Sequence, residues 1–291
     1  MKPAPFKYHR AETIDDATGM LASLDNARLL SGGQSLMAMM NLRYVMVDHL
    51  IDLNPVSELA GIRIDRDRVE LGGMTRQRTV LESDEIADRA PIIREALGFV
   101  GHVQTRNRGT VGGSLAHMDP AAELMGIAAL YDAEITLTST RGERTVSIAD
   151  YPMGYMTPNI EPDEILTRVS FDLWPQGHGY DFREFAQRHG DFAVVGVGSQ
   201  LTLDDKGEID RAAVVLIGVD DGPVRLNDVE EALIGETPSD DLFRAAGSMA
   251  AKHEMMGDAL ITADYRKRVA DAFVRRSLTN AAARAKEISH A

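Results

Sequence analysis

The sequence predicts an α+β protein, with strands and helices mixed to about residue 175 and then a small sheet followed by helices. Short apolar or alternating runs, each closed by Gly, Pro, Asn or Asp, recur along the first 175 residues. Longer apolar runs follow at 180–185, 193–201 and 209–219. From Asp228 the pattern is helical, and the last segment carries Tyr265, Val269, Phe273 and Leu278 spaced for one buried face. A chain of 291 residues has room for one large domain or two to three small ones with real cores. The turn-rich stretch from Trp174 to Gly179 marks one boundary, and Asp52 to Pro55 marks a subsidiary one. The expected division is therefore 1–54, 55–175 and 176–291.

The elements follow in order. Residues 6–9 read as a short strand. Thr13 starts a helix with Asp15 and Asp16 in its first turn and Ala17, Met20, Leu21 and Leu24 along one face. Residues 27–30 form a brief strand that ends in a glycine turn, and 35–40 continue as a helix. Met37, Met39 and Met40 there have no Cys or His beside them and read as core packing. Residues 49–53 form another strand, which Asn54-Pro55 turns. The runs 62–64 and 68–72 alternate around Asp65-Arg66-Asp67, the signature of a hairpin. A helical region spans 79–97. An apolar run from Ala121 to Leu130 follows a second glycine turn. Residues 133–138 and 144–147 alternate around Arg141-Gly142-Glu143 as a second hairpin. A longer strand covers 164–171, and 180–185 pairs with 193–201. The strand 209–219 precedes helices at 229–234, 239–251 and 262–291. There is no internal repeat and no low-complexity segment.

Composition narrows the function. Apolar residues at 44 % and charged residues at 26 % are ordinary for a soluble globular protein. The net charge of −14 argues against nucleic acid or anionic membrane surfaces as main partners. The absence of cysteine excludes disulfides, cysteine-ligated zinc, iron–sulfur clusters ligated by this chain and a thiol nucleophile. The eight histidines, His9, His49, His102, His117, His178, His189, His253 and His290, form no HxH or HxxxH pair, so no metal site is expected. The amino terminus has no apolar leader, and no run approaches the roughly 20 apolar residues of a membrane helix. A cytoplasmic location without membrane insertion is the expectation.

Two glycine turns carry the chemistry. The first is Leu30-Ser31-Gly32-Gly33-Gln34-Ser35-Leu36; the second runs from Gly109 through Thr110, Gly112, Gly113 and Ser114. Each pairs Gly-Gly with hydroxyl or amide side chains. Glycine lets a backbone approach a phosphate closely, backbone N–H groups without intrachain acceptors bind it, and hydroxyls add donors. Two such turns suit a diphosphate held between small subdomains, although each alone is also a common tight turn. Neither GxxxxGK[ST] nor GxGxxG after a first strand occurs, so a P-loop and a Rossmann site are unsupported.

The first turn with Asn41-Leu42-Arg43, and the run from Arg106 to Ala116 (RNRGTVGGSLA), resemble the two FAD-binding signatures of the molybdenum hydroxylase flavoproteins. The medium subunits of carbon monoxide dehydrogenase-type enzymes are the most similar in appearance. The resemblance covers nearly the whole chain, including residues 6–11, 161–166 and 188–193. It implies a two-subdomain FAD-binding domain of the vanillyl-alcohol-oxidase type, followed by a small sheet-plus-helices carboxy-terminal domain. It implies noncovalent FAD, with residues 31–35 and 110–114 holding the pyrophosphate largely through backbone N–H groups. His117 would line the cofactor site. Asp119 matches a family acid that bonds the ribityl or ribose hydroxyls, and equally reads as a helix N-cap before Pro120. Leu166 would pack near the flavin or adenine ring, or serve as core. Phe192 stands where some members carry a tyrosine against the isoalloxazine ring. Arg183 either faces the N1–C2=O edge of the flavin or is a solvated strand arginine.

The function implied is that of an electron-transfer subunit. Electrons would come from molybdopterin in a large partner through [2Fe–2S] clusters in a small one, reach FAD here, and pass to an external acceptor. The assembly implied is a heterotrimer, often doubled. A stand-alone FAD oxidase or dehydrogenase would need its own acid–base pair, and none is apparent. A noncatalytic phosphate-ligand or scaffold protein, its glycine turns only turns, is the other rival.

Overall fold

The computed structural model describes residues 1–289; His290 and Ala291, the end of the last expected helix, lie outside the described residues. The chain opens with β1 (Lys7–Arg10), α1 (Ile14–Ser23), β2 (Ala27–Leu30), α2 (Leu36–Asn41) and β3 (His49–Asp52). These strands form a parallel three-stranded sheet in the order β1-β3-β2, so both neighbours of β3 precede it in the chain. Thr13 caps α1 by accepting the Asp16 N–H. Ala17 of α1 and Ile51 of β3 are fully buried together.

The middle of the chain contains β4 (Ile62–Asp65), β5 (Arg68–Gly72), α3 (Gln77–Glu82), α4 (Asp84–Arg89), α5 (Pro91–Phe99), α6 (Val103–Arg108), α7 (Val111–His117), α8 (Glu123–Leu130), β6 (Glu134–Ser139), β7 (Gly142–Ser147) and β8 (Ile165–Asp172). Both expected hairpins form, β4 with β5 and β6 with β7. The later strand β8 inserts between them, giving the antiparallel order β4-β5-β8-β6-β7. As a central strand, β8 is buried along most of its length, with the polar Thr167 and Ser170 buried among its apolar residues. The single helical region expected at 79–97 is instead three short helices. Ser83 caps α4 by accepting the Ile86 N–H, and Pro91 opens α5. The buried α8 is apolar on every side, with all residues from Leu124 to Leu130 buried.

The last third holds β9 (Gly179–Phe185), β10 (Val195–Leu203), β11 (Ile209–Ile217), β12 (Val224–Arg225), α9 (Asn227–Leu233), α10 (Asp240–Ala250) and α11 (Ala263–Ser289). Its antiparallel sheet runs β12-β11-β10-β9, with β9 and β10 paired as expected. Residues 218–219, expected to extend β11, lie outside it because Gly218 turns the chain at φ +75°. One face of this sheet, with Phe182, Val215 and Ile217, joins the core around α5 and α8. The other, with Val195, Val197 and Leu216, packs on α10 and α11.

Candidate functional site

The two glycine turns, 79 positions apart, meet at one place. Ser31 Oγ lies 2.5 Å from Thr110 Oγ1. The close packing here depends on missing Cβ atoms. A Cβ on Gly32 would come within 2.9 Å of Gly109 Cα and closer still to the Arg108 carbonyl oxygen. One on Gly112 would sit 2.8 Å from Gly73 Cα, and one on Gly113 would sit 2.6 Å from Thr110 Oγ1 and 3.2 Å from Ser31 Oγ. Gly33 has φ +73°, the left-handed conformation that glycine adopts without strain. The second turn is more structured than expected. The glycines themselves lie in the first turn of α7, which Thr110 caps by accepting the Gly113 N–H at 3.0 Å.

That difference divides the donors unequally. Among the described residues, the N–H groups of Gly32, Gly33, Gln34 and Ser35 have no protein acceptor. In the second turn the N–H groups of residues 111–114 are not free as expected, because they already have partners. Val111 donates to Thr75 O, Gly112 to Gly73 O and Gly113 to Thr110 Oγ1. Here the second turn offers a close-packed wall and the hydroxyls of Thr110 and Ser114, while the first offers the open N–H run. A cradle that any side chain would fill, lined with free N–H groups, fits a diphosphate.

The remaining expected residues lie on several different elements. Leu30 ends β2 and Leu36 begins α2, bracketing the first turn and packing with Met40 and Leu50. Gln34 folds back on its own turn, donating from Nε2 to Gly32 O at 3.3 Å. Leu166 is a buried core leucine of β8, and its carbonyl oxygen packs against Gly73, which in turn packs against Gly112. His117 ends α7, and burial pushes its pKa down while nearby Asp119 opposes that shift. Asp119 is not the N-cap of α8, a position held by Ala122. Its Oδ1 accepts the Ala121 N–H at 2.9 Å in a local turn, leaving Oδ2 without a protein partner among the described residues. Phe192 is 68 % exposed in the loop between β9 and β10. That loop reaches α6, where Gly190 packs against the His102 ring.

Arg183 is on the wrong face of its strand for a place in this site. Phe182 points into the core around α5 and α8, so the next residue points the other way, toward α10 and α11. Arg183 Nε lies 2.6 Å from Asp181 Oδ2, and its side chain borders a cavity of about 260 Å³ with Arg275 and Arg276. Strand parity instead gives Glu184 to the α8 side, where it pairs with Glu123. Burial, reinforced by the Glu123 charge, pushes Glu184 up to about 8. Burial, reinforced by Asp119, pushes Glu123 up to about 7. Neither carboxyl was legible as a pair, because they lie 61 positions apart and meet only through tertiary packing.

Other polar residues not expected at the site hold the seat from behind. Asn54 Nδ2 donates to Ser31 O at 3.1 Å, and the Arg76 guanidinium donates to both Asn54 Oδ1 and Arg108 O. In the sequence Asn54 carries only a turn signal before Pro55, and Arg76 carries none. No group of three or more His, Asp or Glu side chains forms a metal-ligand set among the described residues, and no helix among them is long and apolar enough to cross a membrane.

The fold and site can be placed among known proteins. The family model for the FAD binding domain in molybdopterin dehydrogenase matches residues 4–174. That for the CO dehydrogenase flavoprotein C-terminal domain matches residues 180–281. The 6-hydroxypseudooxynicotine dehydrogenase complex subunit alpha of Paenarthrobacter nicotinovorans is 36 % identical over 98 % of this chain and 97 % of that protein. The carbon monoxide dehydrogenase medium chain of Afipia carboxidovorans is 34 % identical over 98 % of this chain and 100 % of the relative. The crystal structure of the Cu,Mo-CO dehydrogenase in its cyanide-inactivated form matches with a TM-score of 0.94 at 33 % identity, covering 98 % of this chain and 100 % of that one. Quinoline 2-oxidoreductase from Pseudomonas putida 86 matches with a TM-score of 0.93 at 30 % identity, covering 97 % and 99 %.

Proposed function

Because this chain belongs to the family of FAD-binding medium subunits of the molybdenum hydroxylases, we propose that it seats one noncovalent FAD between its two glycine turns and serves as the electron-transfer subunit of a cytoplasmic complex. FAD, when bound, would supply the redox chemistry for electrons passing from [2Fe–2S] clusters in a small partner to an external acceptor. Molybdopterin and substrate oxidation belong to a large partner, in a heterotrimer that is doubled. The lack of cysteine in this chain supports the placement of the clusters elsewhere.

The observation that carries this reading is the meeting of Ser31 and Thr110 at 2.5 Å across two subdomains. The first turn donates N–H groups from Gly32 to Ser35 to the pyrophosphate, and the second adds hydroxyls and a wall without side chains. Asp119 Oδ2, which has no protein partner among the described residues, would accept from ribityl or ribose hydroxyls, and His117 would line the same site. Phe192, exposed in its loop, would lie against the isoalloxazine ring without the hydroxyl a tyrosine would bring. Leu166 braces the seat through Gly73. Affinity purification of the tagged chain from its native host tests the assembly. Co-purification with a large molybdopterin-containing and a small iron–sulfur chain is expected. Recovery as a lone monomer that turns over substrate refutes the subunit assignment.

A further inference from the structure

Two carbonyl oxygens at the junction of the glycine turns are taken by one polar relay. Ser31 O accepts from Asn54 Nδ2 at 3.1 Å. Arg108 O, which packs directly against Gly32 Cα, accepts from Arg76 Nη1. Arg76 Nη2 donates to Asn54 Oδ1 and closes the relay, so one guanidinium and one amide join the turn of residues 31–35 to that of 109–114. Asp52 anchors the far end. It accepts the Asn54 N–H at 2.9 Å and the Tyr8 hydroxyl at 2.5 Å, and stands close enough to Arg76 to act as a counter-charge. Arg76 sits on the isolated bridge to Thr110, so its backbone is fixed by the second turn while its side chain reaches the first.

A carbonyl oxygen is a partial negative charge. Left unpaired beside an anion seat it repels the ligand, and left unpaired in a closed junction it costs its own desolvation. A guanidinium is planar and permanently charged, and two of its donors diverge at a fixed angle, so it sets the distance between its acceptors as a flexible ammonium cannot. We propose that Asn54 and Arg76 are positioning residues of the diphosphate seat: together they turn away the Ser31 and Arg108 carbonyls, fix the spacing of the two turns, and lend the seat a positive charge within an acidic chain. This rests on FAD occupying the seat.

The test is FAD titration of the full apo chain, followed by flavin fluorescence, for the wild type, Arg76→Met, Arg76→Lys, Asn54→Ala and the double variant. Thermal unfolding of each apo chain is measured alongside. Arg76→Met and Asn54→Ala should each weaken FAD by roughly 10- to 100-fold, the range of one charge-assisted hydrogen bond. The double variant should lose no more than the worse single one, because both act in one relay. Arg76→Met should also flatten the dependence of FAD affinity on ionic strength, which a purely structural role would leave unchanged. Arg76→Lys should keep that dependence but recover only part of the affinity. Wild-type affinity in Arg76→Met, additive losses in the double variant, or full rescue by lysine would each overturn the relay. A wild-type chain that takes up no FAD would instead refute the seat itself.

Discussion

Replacing Gly32 by alanine puts a single methyl group where the two turns touch. The new Cβ would lie 2.8 Å from the Arg108 carbonyl carbon and 2.9 Å from Gly109 Cα. Carbon atoms rest at about 3.5–4.0 Å, so the turns must part by roughly 0.7 Å or more. The obstacle is backbone at the carboxy-terminal end of α6, so no rotamer change relieves it. Overpacking of this kind costs about 1–3 kcal/mol of stability. The cost to FAD is separate. A diphosphate bridging both turns loses contact with one of them, and one or two lost hydrogen bonds to an anion weaken binding by roughly 10- to 1,000-fold. Urea unfolding of the apo chain reads the first quantity and flavin fluorescence titration the second. Gly19→Ala is the matched control. It lies in α1 with nothing within 4 Å of the added Cβ, and should stabilise the chain by up to about 1 kcal/mol without touching FAD. Gly32→Ala with wild-type FAD affinity would show that the pyrophosphate does not lie between these turns.

Two further perturbations test the electrostatics. The Glu123–Glu184 pair holds protons that the unfolded chain has released at the same pH, because burial raises both groups from the ordinary value of 4.5 to about 7 and about 8. Its contribution to stability therefore falls as pH rises from about 5 through about 8. Glu184→Gln, measured by thermal unfolding across that range, should flatten the fall and be more stable than the wild type at the alkaline end; an unchanged pH profile would refute the pairing. Arg144 holds Glu164 by two bonds, Nε to Oε1 at 2.6 Å and Nη2 to Oε2 at 2.8 Å, and these keep the buried carboxyl below its usual range against the pull of desolvation. Arg144→Met should cost about 2–4 kcal/mol in urea unfolding, and Arg144→Met with Glu164→Leu should recover most of it, because removing both charges leaves none unpaired.

Local pattern carried a good part of the fold. The hairpins at 62–72 and 134–147 were legible from alternation around Asp65-Arg66-Asp67 and Arg141-Gly142-Glu143, and β9 with β10 from two apolar runs across a short loop. Insertion of β8 between the hairpins was not legible, because its partners lie far away in sequence and only packing chooses them. The helix α7 was hidden for a different reason. Gly112 and Gly113 are poor helix formers, and the segment is helical because Thr110 caps it and Gly73 packs where side chains would have been. Both turns were visible as glycine pairs. That the first keeps free N–H groups while the second has spent them depends on Thr75 and Gly73, which no spacing rule connects to Gly112. Asn54 and Arg76 were equally silent, since a relay of single side chains leaves no periodic trace.

The flavin content of the purified chain is the most direct test. The chain should be expressed without partner subunits, reconstituted with excess FAD, passed through gel filtration, and its visible absorbance compared with protein concentration. One FAD per chain, released on denaturation because no covalent bond holds it, is the predicted result. A colourless chain after reconstitution would contradict it.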